Sequence, residues 1–284
     1  LRRPGYYGNN RQLSLPERTR LKDWQTFYTE ESEVKAALEF YQLVKLWKRK
    51  PGTLEKQMLA MPLGLRRTKI EQLWFGMNYE SSRDFEFFAS FCRTKDEHGQ
   101  GTATIKPFPT REEKSYLWDI ADTFQKHKAV AVEKSRQLLL TWLCCLYCLW
   151  VAKYRLNQLI FVQSKKEEDA ANLVYNTEPN HARISFIESH LPAELQSAVT
   201  WTFGKAFFSA SGSRIWGVPE GGDQIRSYTP SLVFSDEFAF QPEAELAWKA
   251  MLPALVGGGQ VILVSSAKNG AFMKQLLQPD TRAA

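Results

Sequence analysis

Between residues 30 and 50 the apolar side chains Val34, Ala37, Leu38, Tyr41, Val44 and Trp47 recur at helical spacing. Positions three and four apart share one face of a helix, so the pattern predicts an amphipathic helix, with Thr29 as N-cap and Pro51-Gly52 as its stop. Residues 53–92 continue as helical or mixed segments into the aromatic stretch FEFFASF. The polar stretch TKDEHGQGTAT, residues 94–104, has the composition of a linker. Two parts are therefore expected: a mostly helical region over 1–104 and a second over 105–284.

After residue 105 the pattern changes to short strand-like apolar runs alternating with helical segments. KAVAVE is followed by a long apolar run, QLIFVQ by SKKEEDAANLV, SLVFSDE by EAELAWKAM, and QVILVSS closes the series. Such alternation predicts an α/β fold, a mainly parallel sheet flanked by helices on both faces. Ligands of these sheets bind where loops leave the carboxyl ends of the strands, here near Glu133, Gln163, Ser235 and Ser265. No internal repeat at a fixed period is visible.

Composition narrows this picture in three ways. Residues 1–70 carry 15 Lys and Arg against 7 Asp and Glu, leaving the rest slightly acidic against a total of +6. A basic N-terminal part suits either an acidic polymer or a solvated face. The apolar run Leu138 to Ala152 is shorter than the roughly 18 residues a membrane helix needs, and it predicts a buried helix instead. Three of the four cysteines, Cys144, Cys145 and Cys148, lie in that run; without a second Cys or His pair they read as small buried hydrophobes in a reducing compartment. His98, His127, His181 and His190 have no metal-ligand spacing. The chain does not begin with Met, which suggests that residues precede Leu1 or that the numbering is local.

Four segments carry candidate chemistry. SLVFSDEFAF runs a buried-type strand into Asp236-Glu237, an acid pair that is costly there unless it meets a cation or ligand. In ATP-hydrolysing sheets the first acid of such a pair orients Mg²⁺ and the second polarises the attacking water; the plainer reading is a cap for the helix after Pro242. VEKSRQLLLTW puts Lys134 and Arg136 before a helix headed by Thr141, where a phosphate loop places backbone N–H groups, a cation and a Mg²⁺-binding hydroxyl. The usual G-x-x-x-x-G-K-[ST] is absent, and Leu139 and Leu140 stand where Gly and Lys are expected; a Ser-Arg turn before a core helix is the alternative. QVILVSSAKNG ends a strand in Ser265, Ser266 and Asn269, either γ-phosphate sensors or an ordinary turn. GGDQIRS places Arg226 ten residues before Asp236, as an arginine finger or a surface residue. Each plainer reading is adequate alone, yet all four segments map to one edge of one sheet.

Taken together, SRQLLLT resembles the SRQ-x-G-K-[ST] phosphate loop of the large terminase subunits of tailed bacteriophages, the motors that package DNA into procapsids. The resemblance covers roughly residues 105–275. QLIFVQSKKEEDAANLV resembles the family's second strand and helix, SRIWGVPEGGDQIRSYTPSLVFSDEFAF its approach to Walker B, and SSAKNG its coupling motif. The resemblance implies a P-loop NTPase fold of the ASCE type. It implies that Lys134, Ser135, Arg136 and Gln137 form the phosphate loop, that Thr141 and Asp236 hold Mg²⁺, and that Glu237 activates water. Arg226 would act as a finger across a ring interface, and Ser265, Ser266 and Asn269 would bind or sense the nucleotide and couple hydrolysis to movement.

ATP and Mg²⁺ are the implied cofactors. The implied partners are double-stranded DNA, a homo-oligomeric ring, a portal protein and a small terminase subunit, in the host bacterial cytoplasm and without a membrane. The family's C-terminal nuclease domain does not fit within 284 residues, so the expectation is an ATPase portion that does not cut DNA. Two other readings stay open: a helicase-type ATPase, and a catalytically silent DNA- or capsid-binding module, which Leu139 and Leu140 favour.

Overall fold

A computed structural model describes residues 76–96, 104–135, 138–177, 182–193 and 195–278. The helix expected over 30–50 lies outside these residues, as do Arg136 and Gln137 of the loop. The described residues fall into two compact units, one holding 76–88 and the described part of 192–196, the other beginning at Ala89. The first contributes a helix over 76–83; everything below concerns the second.

Residues 94–96 and 104, at the two ends of the expected linker, lie instead in strands. Strand β1 (Arg93–Asp96) pairs antiparallel with β2 (Thr104–Pro107), and Thr94 is buried. Paired backbone groups satisfy each other without apolar side chains, so the polar composition concealed the ladder. Helix α1 (Ser115–Lys126) then buries Leu117, Trp118, Ala121 and Phe124, one stripe at helical spacing.

The remainder is one seven-stranded sheet. Its strands are β3 (Ala129–Lys134), β4 (Leu159–Gln163), β5 (Val199–Thr202), β6 (Lys205–Phe208), β7 (Ser213–Val218), β8 (Leu232–Asp236) and β9 (Gln260–Ser266), in the order β3-β9-β8-β4-β7-β6-β5. The first five in that order are parallel, as the apolar runs predict. β5 and β6 add an antiparallel edge that the pattern did not announce. The two-residue turn Phe203-Gly204, with Gly204 at φ 67, can join only antiparallel neighbours. β9 lies between β3 and the acidic strand β8, so the loop after β3 and the acids after β8 are separated by one strand.

Helices cover both faces of the parallel part. Phe161, Val233, Val261 and Leu263 pack in one cluster with Ile225 of α5 (Asp223–Arg226), Ala247 and Met251 of α6 (Ala244–Val256) and Met273 of α7 (Phe272–Leu276). The alternating residues Ile160, Val162, Phe234, Ile262 and Val264 are equally buried on the other face. There α2 (Leu140–Tyr154) packs on β4, β7 and β8, joined by α3 (Glu167–Val174) and α4 (Arg183–Ser189). α2 is apolar all round and buries all three of its cysteines as free thiols; burial pushes Cys145 up to about 12. Among the described residues no helix is long and apolar enough to cross a membrane.

One buried ion pair pins α2 to α4. Lys153 Nζ donates to Glu188 at 2.8 and 2.9 Å and to Ser197 Oγ at 2.7 Å, with the two charged side chains 2% and 6% exposed. The Ser197 N–H donates to the same carboxylate at 2.5 Å. Replacing Glu188 with Ala strands a buried ammonium, so urea unfolding should show a loss of about 3–5 kcal/mol. The double change Lys153→Met with Glu188→Leu should cost far less.

Candidate functional site

Because β3, β9, β8, β4 and β7 are parallel, their carboxyl ends gather at one edge, and β3, β8 and β9 deliver polar side chains there. The alternation along β8 sends Asp236 to the α2 side of the sheet and Ser235 to the α6 side. Asp236 accepts a hydrogen bond from Thr141 Oγ1 at 3.1 Å, at the head of α2. The motif residues 95 positions apart in sequence thus meet at the amino end of a fifteen-residue helix, where unpaired N–H groups favour an anion.

Glu237 follows with φ 48 and turns the chain into the short 3-10 helix Phe238–Phe240. Its carboxylate is held from three sides. Lys134 Nζ donates at 3.2 Å, the Ser266 N–H at 3.1 Å, and the Ser265 and Ser266 hydroxyls at 3.3 Å each. The register that places Lys134 beside Ser266 on β3 and β9 explains why one acid reaches all three residues. Ser265 Oγ also accepts the Ala239 N–H at 3.1 Å, anchoring the turn after Glu237. Lys134 is 9% exposed and Glu237 39%, so the pair is partly sheltered from solvent.

The two carboxyls are pushed in opposite directions. Burial, the largest influence on Asp236, raises its affinity for a proton; Arg183 opposes this, Glu237 adds to it, and Lys134 and the Thr141 hydroxyl oppose it, with a net rise. Burial also acts to raise Glu237, but the Ser266 N–H, Lys134 and the Ser265 hydroxyl together outweigh it and hold Glu237 below its ordinary value. An acid with a raised proton affinity beside a firmly ionised one is an arrangement found at reactive sites and metal sites. Among the described residues no group of three or more His, Cys, Asp or Glu could hold a metal. Mg²⁺ does not need one, since it commonly takes one or two carboxylates and completes its octahedron with water and phosphate oxygens. A buried carboxylate paired with a hydroxyl at a helix N-terminus fits such an ion.

Leu139 takes φ 55, ψ 10 immediately before α2. This is the left-handed conformation a glycine adopts easily, at the position where the phosphate-loop pattern calls for Gly. The backbone therefore turns as that pattern requires despite the leucine, at a cost of roughly 1–2 kcal/mol. Leu140, in place of the loop lysine, is buried.

The other predicted residues are distributed differently. Ser135 is exposed beyond β3, and Asn269 is exposed in the turn after β9; neither enters the cluster. Arg226 ends α5, is 55% exposed and lies 3.9 Å from Asp223; among the described residues it has no ion pair with Asp236 or Glu237. Sequence reasoning missed four polar residues around the acids. Gln163 donates to the carbonyls of Pro219 and Gly221 and accepts from Ser235 Oγ. Gln241 donates to Ser235 Oγ and to the Asp236 carbonyl. This buried chain ties the glycine turn before Arg226 to the backbone of Asp236. Gln163 and Ser235 stand at strand ends, a signal that marks their place but not their bonds. Arg183, which acts on Asp236 through space, and Gln241 carry no local motif at all.

No protein-family model and no curated protein matches the chain. Among solved structures, the large terminase of bacteriophage HK97 aligns with a TM-score of 0.51 and 17% identity, over 71% of this chain and 41% of that one. The ATPase domain of the large terminase of Thermus phage P74-26 aligns with a TM-score of 0.38 and 16% identity, over 52% and 62% of the two chains. The large terminase of a thermophilic bacteriophage, solved in complex with ADP, gives 0.39 and 14%, over 52% and 36%. The chain thus shares the fold of the HK97 enzyme over less than half of that enzyme's length. The terminase resemblance read from the motifs has its counterpart in this likeness of fold.

Two substitutions test the electrostatics and the strain. For Asp236, whose proton affinity is raised on folding, stability is lost as pH rises above the ordinary carboxylate value. Asp236→Asn, which still accepts from Thr141, should raise the melting temperature at pH 7 without divalent ions, and the gain should vanish near pH 3. Leu139→Gly should stabilise the chain by about 1 kcal/mol in urea unfolding by relieving the left-handed leucine.

Proposed function

We propose that this chain hydrolyses ATP as the motor portion of a DNA-packaging large terminase, translocating double-stranded DNA into a procapsid. The observation that carries this reading is the meeting of Thr141 and Asp236 at the head of α2, beside the pair of Lys134 and Glu237. Two segments read separately as weak signals supply these groups from β3, β8 and α2, and a third, ending β9, holds Glu237 through Ser265 and Ser266.

In this reading Thr141 and Asp236 hold Mg²⁺, which when bound neutralises phosphate charge. Lys134, Ser135, Arg136, Gln137 and the N–H groups at the start of α2 bind the phosphates. Glu237, kept ionised, orients a water and accepts its proton as the water oxygen bonds to the γ-phosphorus. The bond from that phosphorus to the β–γ bridging oxygen breaks, giving ADP and phosphate. Lys134 is bonded to Glu237, so a phosphate gives the ammonium a second anion and loosens its hold on the base. Ser265 and Ser266 hold Glu237 from β9, where they and Asn269 respond to loss of the γ-phosphate. Arg226, exposed at the end of α5, acts on the site of a neighbouring copy in a ring. Portal and small-subunit contacts, with DNA gripped through its phosphates, complete the packaging assembly. The basic N-terminal region, placed over 1–104, serves the DNA or a neighbouring subunit. The glycine-like turn at Leu139 favours a working loop over a silent module.

Titration with Mg²⁺-ATP should show saturable binding that is lost or strongly weakened in Lys134→Ala. Glu237→Gln should keep that binding while lowering the hydrolysis rate about 10²–10⁴-fold. Absence of binding by the unaltered chain sinks the proposal for this chain.

A further inference from the structure

Gln163, Ser235 and Gln241 form a buried polar chain next to Asp236, with Gln163 and Ser235 fully buried and Gln241 4% exposed. One nitrogen, Gln241 Nε2, donates to Ser235 Oγ at 2.9 Å and to the Asp236 carbonyl at 3.1 Å. Ser235 Oγ gives its own hydrogen to Gln163 Oε1 at 3.0 Å. Gln163 Nε2 in turn donates to the carbonyls of Pro219, at 3.2 Å, and Gly221, at 2.9 Å. These partners fix both amide orientations. Each Nε2 faces a backbone carbonyl, which can only accept, so a reversed amide would set oxygen against oxygen. Every side-chain donor is thus committed, and donation runs one way, from Gln241 through Ser235 and Gln163 to the turn at 219–222.

The two ends of the chain are held differently. At the strand end, one nitrogen spans the Ser235 side chain and the Asp236 carbonyl, so a rotation of the residue that carries the carboxylate lengthens one of those two bonds. Gln241 Oε1 is buried there without a hydrogen-bond partner among the described residues, which leaves this end the less firmly held. At the other end the turn is built for close approach. Gly221 takes φ 96, and a Cβ on Gly222 would stand 2.8 Å from Ala250 Cβ and 3.2 Å from the Leu246 carbonyl of α6. The Gly222 carbonyl accepts the Arg226 N–H at 2.9 Å, so the turn leads directly into α5, four residues that end in Arg226. A hydrogen bond broken inside such a chain is not replaced by water, so its members shift together.

We propose that Gln163 is a positioning residue that sets the turn at 219–222, and with it Arg226, according to what Asp236 holds. This rests on the ATPase reading above and adds to it a route from the candidate Mg²⁺ carboxylate to the exposed arginine. A cation drawn to Asp236 shifts the backbone that Gln241 holds, Ser235 Oγ follows, and Gln163 carries the shift to the carbonyls of Pro219 and Gly221. Ser235 lies on the opposite face of β8 from Asp236, so the chain acts through the backbone it holds rather than by touching phosphate.

Hydrogen exchange read by mass spectrometry, with and without Mg²⁺-ATP, tests this on the unaltered chain and on Ser235→Ala, Ser235→Thr and Gln163→Leu. Thermal melts show which variants are folded. Two stretches are compared, 140–146 at the head of α2 and 219–228 around α5. In the unaltered chain ATP should slow exchange in the first and change it in the second. Ser235→Ala cuts the chain in the middle; it should bind ATP within about fivefold of the unaltered chain and protect 140–146, yet lose the ATP-dependent change at 219–228. Gln163→Leu removes the donors to the turn and should lose the same change, which serves where Ser235→Ala folds poorly. Ser235→Thr keeps the hydroxyl and should keep the change. A residue that merely stabilised the fold would alter exchange with and without ATP alike and leave their difference standing. A folded Ser235→Ala or Gln163→Leu chain that retains the ATP-dependent change at 219–228 overturns the assignment. So does an unaltered chain in which ATP protects 140–146 and leaves 219–228 as it was, and in either case the ATPase reading stands. An unaltered chain that binds no ATP removes both.

Discussion

Asp236 is a carboxylate that the fold has taken out of water. It ends a fully buried strand, and an ionised group there is tolerated only with compensating partners. The Thr141 hydroxyl, Arg183 and Lys134 supply some compensation, yet burial still wins and its proton affinity stays raised. Every neighbouring feature follows from this constraint. α2 begins where its first hydroxyl reaches the acid, β9 separates β3 from β8, and the charge of Arg183 on α4 acts on the same carboxylate. A carboxylate whose burial outweighs its partners is one that gains from a cation.

Glu237 shows the opposite solution one residue later. The left-handed turn at φ 48 takes it off the strand, and two serines and a lysine hold its charge. The strain there, of order 1 kcal/mol, separates two adjacent acids into two environments. Leu139 bears a similar strain on the other side of the site, so the two departures from relaxed backbone flank the place where Thr141 meets Asp236. Residues held in such conformations mark positions the surrounding packing over-determines.

The polar chain from Gln163 through Ser235 to Gln241 adds a mechanical link. Ser235 and Asp236 are consecutive and point to opposite faces of β8, so a shift of Asp236 toward a ligand also moves the hydroxyl that Gln163 and Gln241 share. Gln163 in turn holds the carbonyls of Pro219 and Gly221, at the root of α5 and Arg226. Buried networks of this kind are satisfied as a unit or strained as a unit. The site and the exposed arginine are thereby joined through β4 and β8, within one rigid sheet.

The sequence by itself determined the alternation of apolar runs, hence the parallel core and the edge where the site lies, because burial on both faces imposes continuous hydrophobic strands. It also determined that Asp236-Glu237, Thr141, Lys134, Ser265 and Ser266 belong to strand ends or helix starts at that edge. The β1–β2 pair and the β5–β6 edge were not legible, since short polar or half-exposed strands owe their existence to pairing rather than to pattern. Nor was the conformation of Leu139, where the fold imposes a glycine-like turn on a residue that resists it. Only the tertiary structure decided that Lys134 holds Glu237, that Thr141 holds Asp236, and that Arg183 and Gln241 join them while Asn269 does not. Periodicity records which residues share one element; contacts between elements depend on register, crossover and helix packing, which no local spacing encodes.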